Sequence, residues 1–290
     1  MRFINNAFNK PKSYIKTSQI ELTNLKKLNT IQEIKDYLDT PANKKWNEIK
    51  RHFERIGNSK CWFTESYAAI SDFYVEHFRP KKMVHLIRSK HSYAEARTTT
   101  DNAGYWWLSY EYFNLRLAGA KPNQKKGNYF PLLTESKIAL NENFNVSVER
   151  PILLDPCRKE DVELLSFDGT IAIPSQNDNS DIGFTRAHVS ILIYDLNSAK
   201  LKKARSRIYE EMKNYFDQAQ LNYDSLTSEV SGKDVKALAR INFVSNTSNL
   251  VSMLNPTKQF TSMVESFLKV QNLNWINTYV IQEAVSLKYI

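Results

Sequence analysis

With 290 residues, 42% hydrophobic and 24% charged, the chain has the make-up of an ordinary globular protein of one large domain or two modest ones. Seven glycines and nine prolines exclude a collagen-like or low-complexity chain, and two cysteines, Cys61 and Cys157, exclude a disulfide framework. A net charge of +9 and a pI near 9.3 favour a polyanionic partner, because Lys and Arg displace counterions from a phosphate backbone, although modest basicity is common in itself.

No apolar run reaches the roughly 18–20 residues needed to span a bilayer, so no membrane contact is expected. Residues 1–6 lack the apolar core of a signal peptide. A cytoplasmic location is therefore expected.

Residues 1–30 mix Lys and Asn with few apolar positions and read as an extended arm. Ile31, Ile34, Tyr37 and Leu38 recur at helical spacing until Pro41. Trp46, Ile49, Phe53 and Ile56 then do the same, with Lys44, Lys45, Lys50, Arg51 and Arg55 largely between them. That basic face either meets solvent or lies along phosphates. Cys61-Trp62-Phe63, after Gly57-Asn58, reads as a short strand. Alternation over residues 71–79 predicts a second strand, ended by Pro80. Residues 81–103 read as a long loop; His85 and His91 there are weak candidates for chemistry.

Tyr105, Trp106, Trp107, Tyr110, Tyr112 and Phe113 form the densest aromatic cluster. It suits either base stacking on a single strand or, first, a hydrophobic buttress. From Asn123 a helix is expected, with Lys125 and Lys126 in its first turn, where a helix N-terminus favours phosphate. Residues 151–173 read as strand and turn around Asp168-Gly169. Residues 184–219 read as one or two helices with a basic run from Lys200 to Arg207. Two or three more follow to the end.

The stretch from Val75 to Leu132 carries the chemistry. Glu76 beside His77, Asn114 after a long gap, and Asn123 nine positions on suggest a metal-assisted phosphodiesterase. Such hydrolysis needs a base to activate water and hard oxygen ligands for a cation such as Mg²⁺. Glu76 and Asn123 supply oxygens, and His77 ordinarily titrates near neutrality. Adjacent strand residues point to opposite faces, so both meet one site only at a kink or a strand edge.

The blocks "EHFRPK", "YWWLSYEYFNL" and "PNQKKGNYFPL" resemble the ββα-metal core of the HNH endonucleases. More narrowly, they resemble the HNH proteins that accompany an ATPase in Septu-type and retron-associated anti-phage systems. "RPILLDPCRKEDVELLSFDGTI" and "AHVSILIYDLNSAKLKKARSRIYEEM" extend the likeness, which runs from about Trp46 to about Met212.

The resemblance implies an α+β chain with a ββα-metal (HNH) core over residues 61–150. An N-terminal arm and helices (1–60) precede it and a mainly helical region (151–290) follows. His77 would be the general base, Glu76 and Asn123 the ligands of Mg²⁺ or Mn²⁺. Asn114 would hydrogen-bond backbone and orient His77, and Lys126 would steady the transition state. Arg79, Lys81, Lys82 and Lys125 would touch DNA or RNA, and an ATPase would be the partner. The alternative is an inactive relative kept as a nucleic-acid-binding or assembly subunit.

One departure stands out. Where the family carries two Cys-x-x-Cys half-sites around a structural zinc, this chain has Cys61 with Thr64, and Gly119 with Pro122. One cysteine cannot make a four-coordinate zinc site. No structural zinc is expected.

Overall fold

A computed structural model describes residues 1–6, 10–67, 72–84, 104–133 and 138–290. Residues 85–103, with His85 and His91, lie outside the described residues. The contacts divide the chain into two compact units. One comprises Met1–Leu165 with Ile173–Leu196, and the other Ser166–Ala172 with Asn197–Ile290. The sequence-based divisions at 60 and 150 fall inside the first unit, because side chains from the N-terminal residues pack directly onto the centre of the chain.

The first of those residues are not an extended arm. Helix α1 (Lys12–Leu25) buries Tyr14, Ser18, Glu21 and Leu25 along one stripe. Two of the four are polar, which hides the stripe from a hydrophobicity reading. Their polar atoms are satisfied instead: Tyr14 donates to the Tyr110 carbonyl (3.1 Å) and Glu21 accepts from Tyr37 (2.6 Å). Helix α2 (Ile31–Asp39) starts at a capping box in which Thr30 and Glu33 satisfy each other's backbone amides. A 3₁₀ segment (Lys45–Ile49) carrying Trp46 leads into α3 (Lys50–Ile56). Cys61-Trp62-Phe63 is not a strand but a tight turn inside an isolated Lys60–Tyr67 bridge.

At the centre, β1 (Tyr74–His77) pairs antiparallel with β2 (Leu115–Ala118), setting Glu76 opposite Arg116 and His77 opposite Leu115. Helix α4 (Ala120–Lys126) follows β2 after one residue and packs back on β1. The aromatic cluster underlies this hairpin: Tyr105, Trp107, Tyr110 and Tyr112 are buried, while Phe113 is half exposed. Arg116, within β2, is buried, its guanidinium bridging both Asp155 oxygens (2.6 and 2.5 Å). Burial alone would lower its pKa, but Asp155 raises it, so the guanidinium stays charged.

A short helix α5 (Lys159–Val162) and a hairpin of β3 (Leu165–Asp168) and β4 (Ile171–Pro174) follow, turning at Gly169 with φ +53°. Helix α6 (Ile182–Ile193) is capped by Asp181 and anchors residues 151–155 through Ser190, which accepts from the Leu154 amide. In the second unit, α7 (Ala199–Thr227) and α8 (Lys233–Met253) pack as a long helical hairpin. Helix α9 (Thr261–Val270) follows. Then come α10 (Asn274–Ile276), a π-turn and α11 (Gln282–Ser286). Trp275 is the centre of this unit, ringed by Phe216, Tyr223 and Phe243.

Candidate active site

Glu76 and His77 end β1 and are both buried, which a strand allows only when each face has its own cover. On the His77 side the cover is Trp46, whose ring meets the imidazole edge-on at 5.0 Å. On the Glu76 side it is α4, through Lys126. The Lys126 ammonium is almost inaccessible and donates to Glu76 Oε1 (2.6 Å), to the His77 carbonyl (2.8 Å) and to the Gly127 carbonyl (3.4 Å). One lysine thus ties the carboxylate to the backbone of the neighbouring histidine.

The geometry fixes the tautomer of His77. Nε2 lies 2.8 Å from the Ser109 carbonyl, which can only accept, so Nε2 carries the proton. Nδ1 is left with a lone pair, and Lys81 Nζ faces it at 3.3 Å. Burial holds the imidazole pKa well below its ordinary value. The Lys81 and Lys126 charges push the same way, against a smaller upward pull from Ser109. Burial likewise brings the Lys81 ammonium down to about 8. A neutral imidazole with a lone pair on one nitrogen is the form a general base needs.

Asn114 stands behind the histidine, completely buried. Its Oδ1 accepts from the Arg79 amide (2.8 Å), and its Nδ2 donates to the carbonyls of Arg79 (3.0 Å) and Leu108 (3.3 Å). It clasps the chain just after His77 to the loop that presents Ser109. Asn114→Ala strands both main-chain groups of Arg79, and an unfolding midpoint in urea is expected to report a loss of about 3 kcal/mol. A loss under 1 kcal/mol would show that the clasp is dispensable.

Asn123 is half buried in the middle of α4, since the helix begins at Ala120 rather than at Asn123. Lys125 and Lys126 accordingly occupy the last turn, where cations complement the macrodipole, and not the first. Arg79 points inward: its guanidinium donates to Glu149 (2.7 Å) and to the Val146 carbonyl (3.1 Å) and lies over the Phe130 ring. Lys82 is paired with Asp39 at 2.5 Å, which holds the Asp39 carboxyl low. Glu76, His77, Lys81 and Lys126 are therefore gathered at one place, and Arg79 and Lys82 are engaged elsewhere.

No group of three or more His, Cys, Asp or Glu side chains is placed to hold a metal among the described residues. A cation here would rest on fewer protein ligands. Glu76 Oε2 and the Asn123 side-chain amide make no hydrogen bond among the described residues. They sit on β1 and α4, which pack together. Two uncommitted hard oxygens fit a cation that keeps most of its water, as Mg²⁺ does.

Of the four positions that the resemblance assigns to zinc half-sites, three lie together: a side chain at Gly119 would begin 3.9 Å from Cys61 Sγ and 3.8 Å from Pro122 Cδ. Hydrogen bonds hold the turn. The Cys61 amide donates to Ser66 (3.0 Å), the Glu65 amide to Cys61 (2.9 Å), and the Thr64 and Ser66 hydroxyls share one bond at 2.8 Å. The Trp62 amide then pins the turn to Leu117 of β2 (3.0 Å). A zinc-selective chelator is expected to leave the melting temperature unchanged; a fall of several degrees would mean that a metal holds the turn.

Trp46 and the Ser109 carbonyl were not singled out from the sequence as parts of the site. A backbone acceptor leaves no trace in residue type, and Trp46 reads simply as one apolar position in a helix.

No family model matches the chain. Over 166 residues it is 28% identical to the Septu protein PtuB of Bacillus mycoides (strain KBAB4). The alignment takes in 57% of this chain and 52% of that protein, so the chain spans about half the length of the relative it matches. The similarity places this chain alongside a component of a Septu system.

Proposed function

We propose that the chain is a metal-dependent HNH endonuclease that acts in anti-phage defence. The observation that carries this reading is the His77 arrangement. A buried, neutral imidazole, oriented by a main-chain carbonyl through Nε2, keeps a lone pair on Nδ1 at the end of a strand whose preceding residue is a carboxylate. The order of two antiparallel strands and a returning helix supports it, as does the similarity to Septu protein PtuB for the defence role.

In this mechanism His77 Nδ1 takes a proton from water while the water oxygen bonds to phosphorus and the bond from phosphorus to the leaving sugar oxygen breaks. Glu76 and Asn123 would hold Mg²⁺ or Mn²⁺, which would supply Lewis-acid chemistry at the phosphate. Lys126 holds the Glu76 carboxylate in place, and its ammonium is committed to that group. Asn114 and Ser109 hold the imidazole in its working tautomer. The DNA or RNA substrate and the partner ATPase are parts of the same proposal.

The contrasting reading, a binding or assembly subunit without catalysis, is favoured by the ion pair that already occupies Glu76 Oε1. Incubating plasmid, single-stranded DNA and total RNA with the protein separates the two. The incubations carry Mg²⁺ or EDTA, with and without the ATPase. Cleavage abolished by EDTA and by His77→Ala supports the nuclease. Binding without cleavage in every lane replaces it with the subunit.

A further inference from the structure

The lone pair assigned to the base is not open. Lys81 Nζ lies 3.3 Å from His77 Nδ1 and 4.7 Å from the centre of the Trp46 ring, while Trp46 also supports the imidazole. One indole therefore holds both the base and the ammonium against it. An sp² nitrogen has a single lone pair, so Nδ1 cannot accept from Lys81 and from a water proton together. As the structure stands, His77 is capped.

The cap is weakly held compared with its neighbours. Arg79, Lys82 and Lys126 each have a carboxylate partner between 2.5 and 2.7 Å. Among the described residues no carboxylate lies within ion-pair distance of Lys81, a residue that keeps some exposure although its ammonium is largely desolvated. Its partners are a neutral imidazole and an aromatic face. A hydrogen bond from an ammonium to an anionic oxygen is shorter and roughly twice as strong as one between neutral groups. A phosphate oxygen that reaches Lys81 outcompetes an imidazole nitrogen at 3.3 Å.

We propose that Lys81 is a substrate-responsive cap: it occupies His77 Nδ1 in the free protein and swings to the backbone phosphate of an arriving nucleic-acid strand, which opens the base to water. This rests on the reading of His77 as the base and adds a control to it. The same residue withholds the base when no strand is present and contacts the strand when one is. Lys81 thus acts through His77 as a positioning residue before it touches substrate.

The test reads the cap without reading cleavage. The full chain is labelled with ¹⁵N-histidine and kept in EDTA so that nothing is cut, and the His77 Nδ1 resonance is followed by NMR. Lys81→Met keeps the stem on Trp46 and removes the donor, so the resonance is expected to move to that of a nitrogen accepting no ammonium. Short DNA and RNA oligonucleotides, and separately inorganic phosphate, are expected to move the wild-type resonance to the same place and to leave Lys81→Met unmoved. Lys81→Arg, which keeps a donor, retains the capped position and controls for a folding defect.

An identical Nδ1 resonance in wild type and Lys81→Met overturns the cap. A wild-type resonance that neither oligonucleotide nor phosphate moves overturns its response to substrate. Either failure, alongside cleavage that still needs His77, leaves the nuclease reading standing. Absence of cleavage with the resonance behaving as expected removes the nuclease and keeps a phosphate-sensing lysine.

Discussion

His77→Ala is expected to lower the cleavage rate by about 10²–10⁴, the usual worth of a positioned general base, with substrate binding little changed. Among the described residues the imidazole meets Trp46, the Ser109 carbonyl and Lys81 and carries no buried charge pair, so the fold should survive. The wild-type pH profile carries a second signature. Because the native imidazole pKa lies well below its ordinary value of 6.5, the base stays neutral through neutrality, and the acid limb of kcat/KM falls below pH 6.5.

Stability follows the same sign. Below about pH 6.5 the unfolded imidazole binds a proton that the folded one refuses. The native state therefore loses stability as pH falls from 6.5 toward the folded value, and above 6.5 the contribution is complete. Urea midpoints measured between pH 5 and 8 on wild type and His77→Ala isolate it: the variant should lack that part of the acid slope. An acid limb centred at or above pH 6.5, or equal slopes in both proteins, would mean that the histidine is solvated and not the base described above.

How much of this was legible in the sequence depended on whether a residue acts through its type or through its surroundings. Glu76, His77, Asn114 and Asn123 stood out because few side chains can accept a proton or offer a hard oxygen. The strand holding the first two was readable from alternation and from Pro80. What they touch was not readable. Lys126 was visible as a cation, yet its burial against Glu76 depends on α4 returning over β1. Lys81 lies four residues beyond His77 across a proline turn, and no periodicity predicts that their side chains meet.

The helix expected from Asn123 begins three residues earlier, at Ala120, because Pro122 is tolerated in a first turn, where the missing amide is not needed. The first helix was missed for another reason. Its buried stripe is half polar, and Glu21 is satisfied there by a hydrogen bond from Tyr37 that only the tertiary structure supplies. The turn at Cys61 was read as a strand from Trp62 and Phe63, whose burial comes from tertiary packing and not from a ladder.

Lys126→Met tests the arrangement most severely. The side chain has about the same length but no charge, and it leaves Glu76 buried against a strand with nothing on Oε1. Removing one member of a buried pair costs about 3–5 kcal/mol, chiefly because the other charge is stranded. Glu76 retains slight exposure, so the lower end, about 3 kcal/mol, is expected from urea unfolding in EDTA. The His77 carbonyl loses its donor as well, which adds to the loss and loosens the end of β1. Adding Mg²⁺ should then separate two explanations of the pair. If Glu76 is a metal ligand, the variant offers both oxygens, and Mg²⁺ at about 100 times its dissociation constant restores roughly 2.7 kcal/mol. The further change Glu76→Gln should recover stability in EDTA, since no charge remains to strand, and should abolish the response to Mg²⁺. A Lys126→Met protein that loses stability but ignores Mg²⁺ would mark the pair as structural only and would move the cation, and with it the chemistry, away from Glu76.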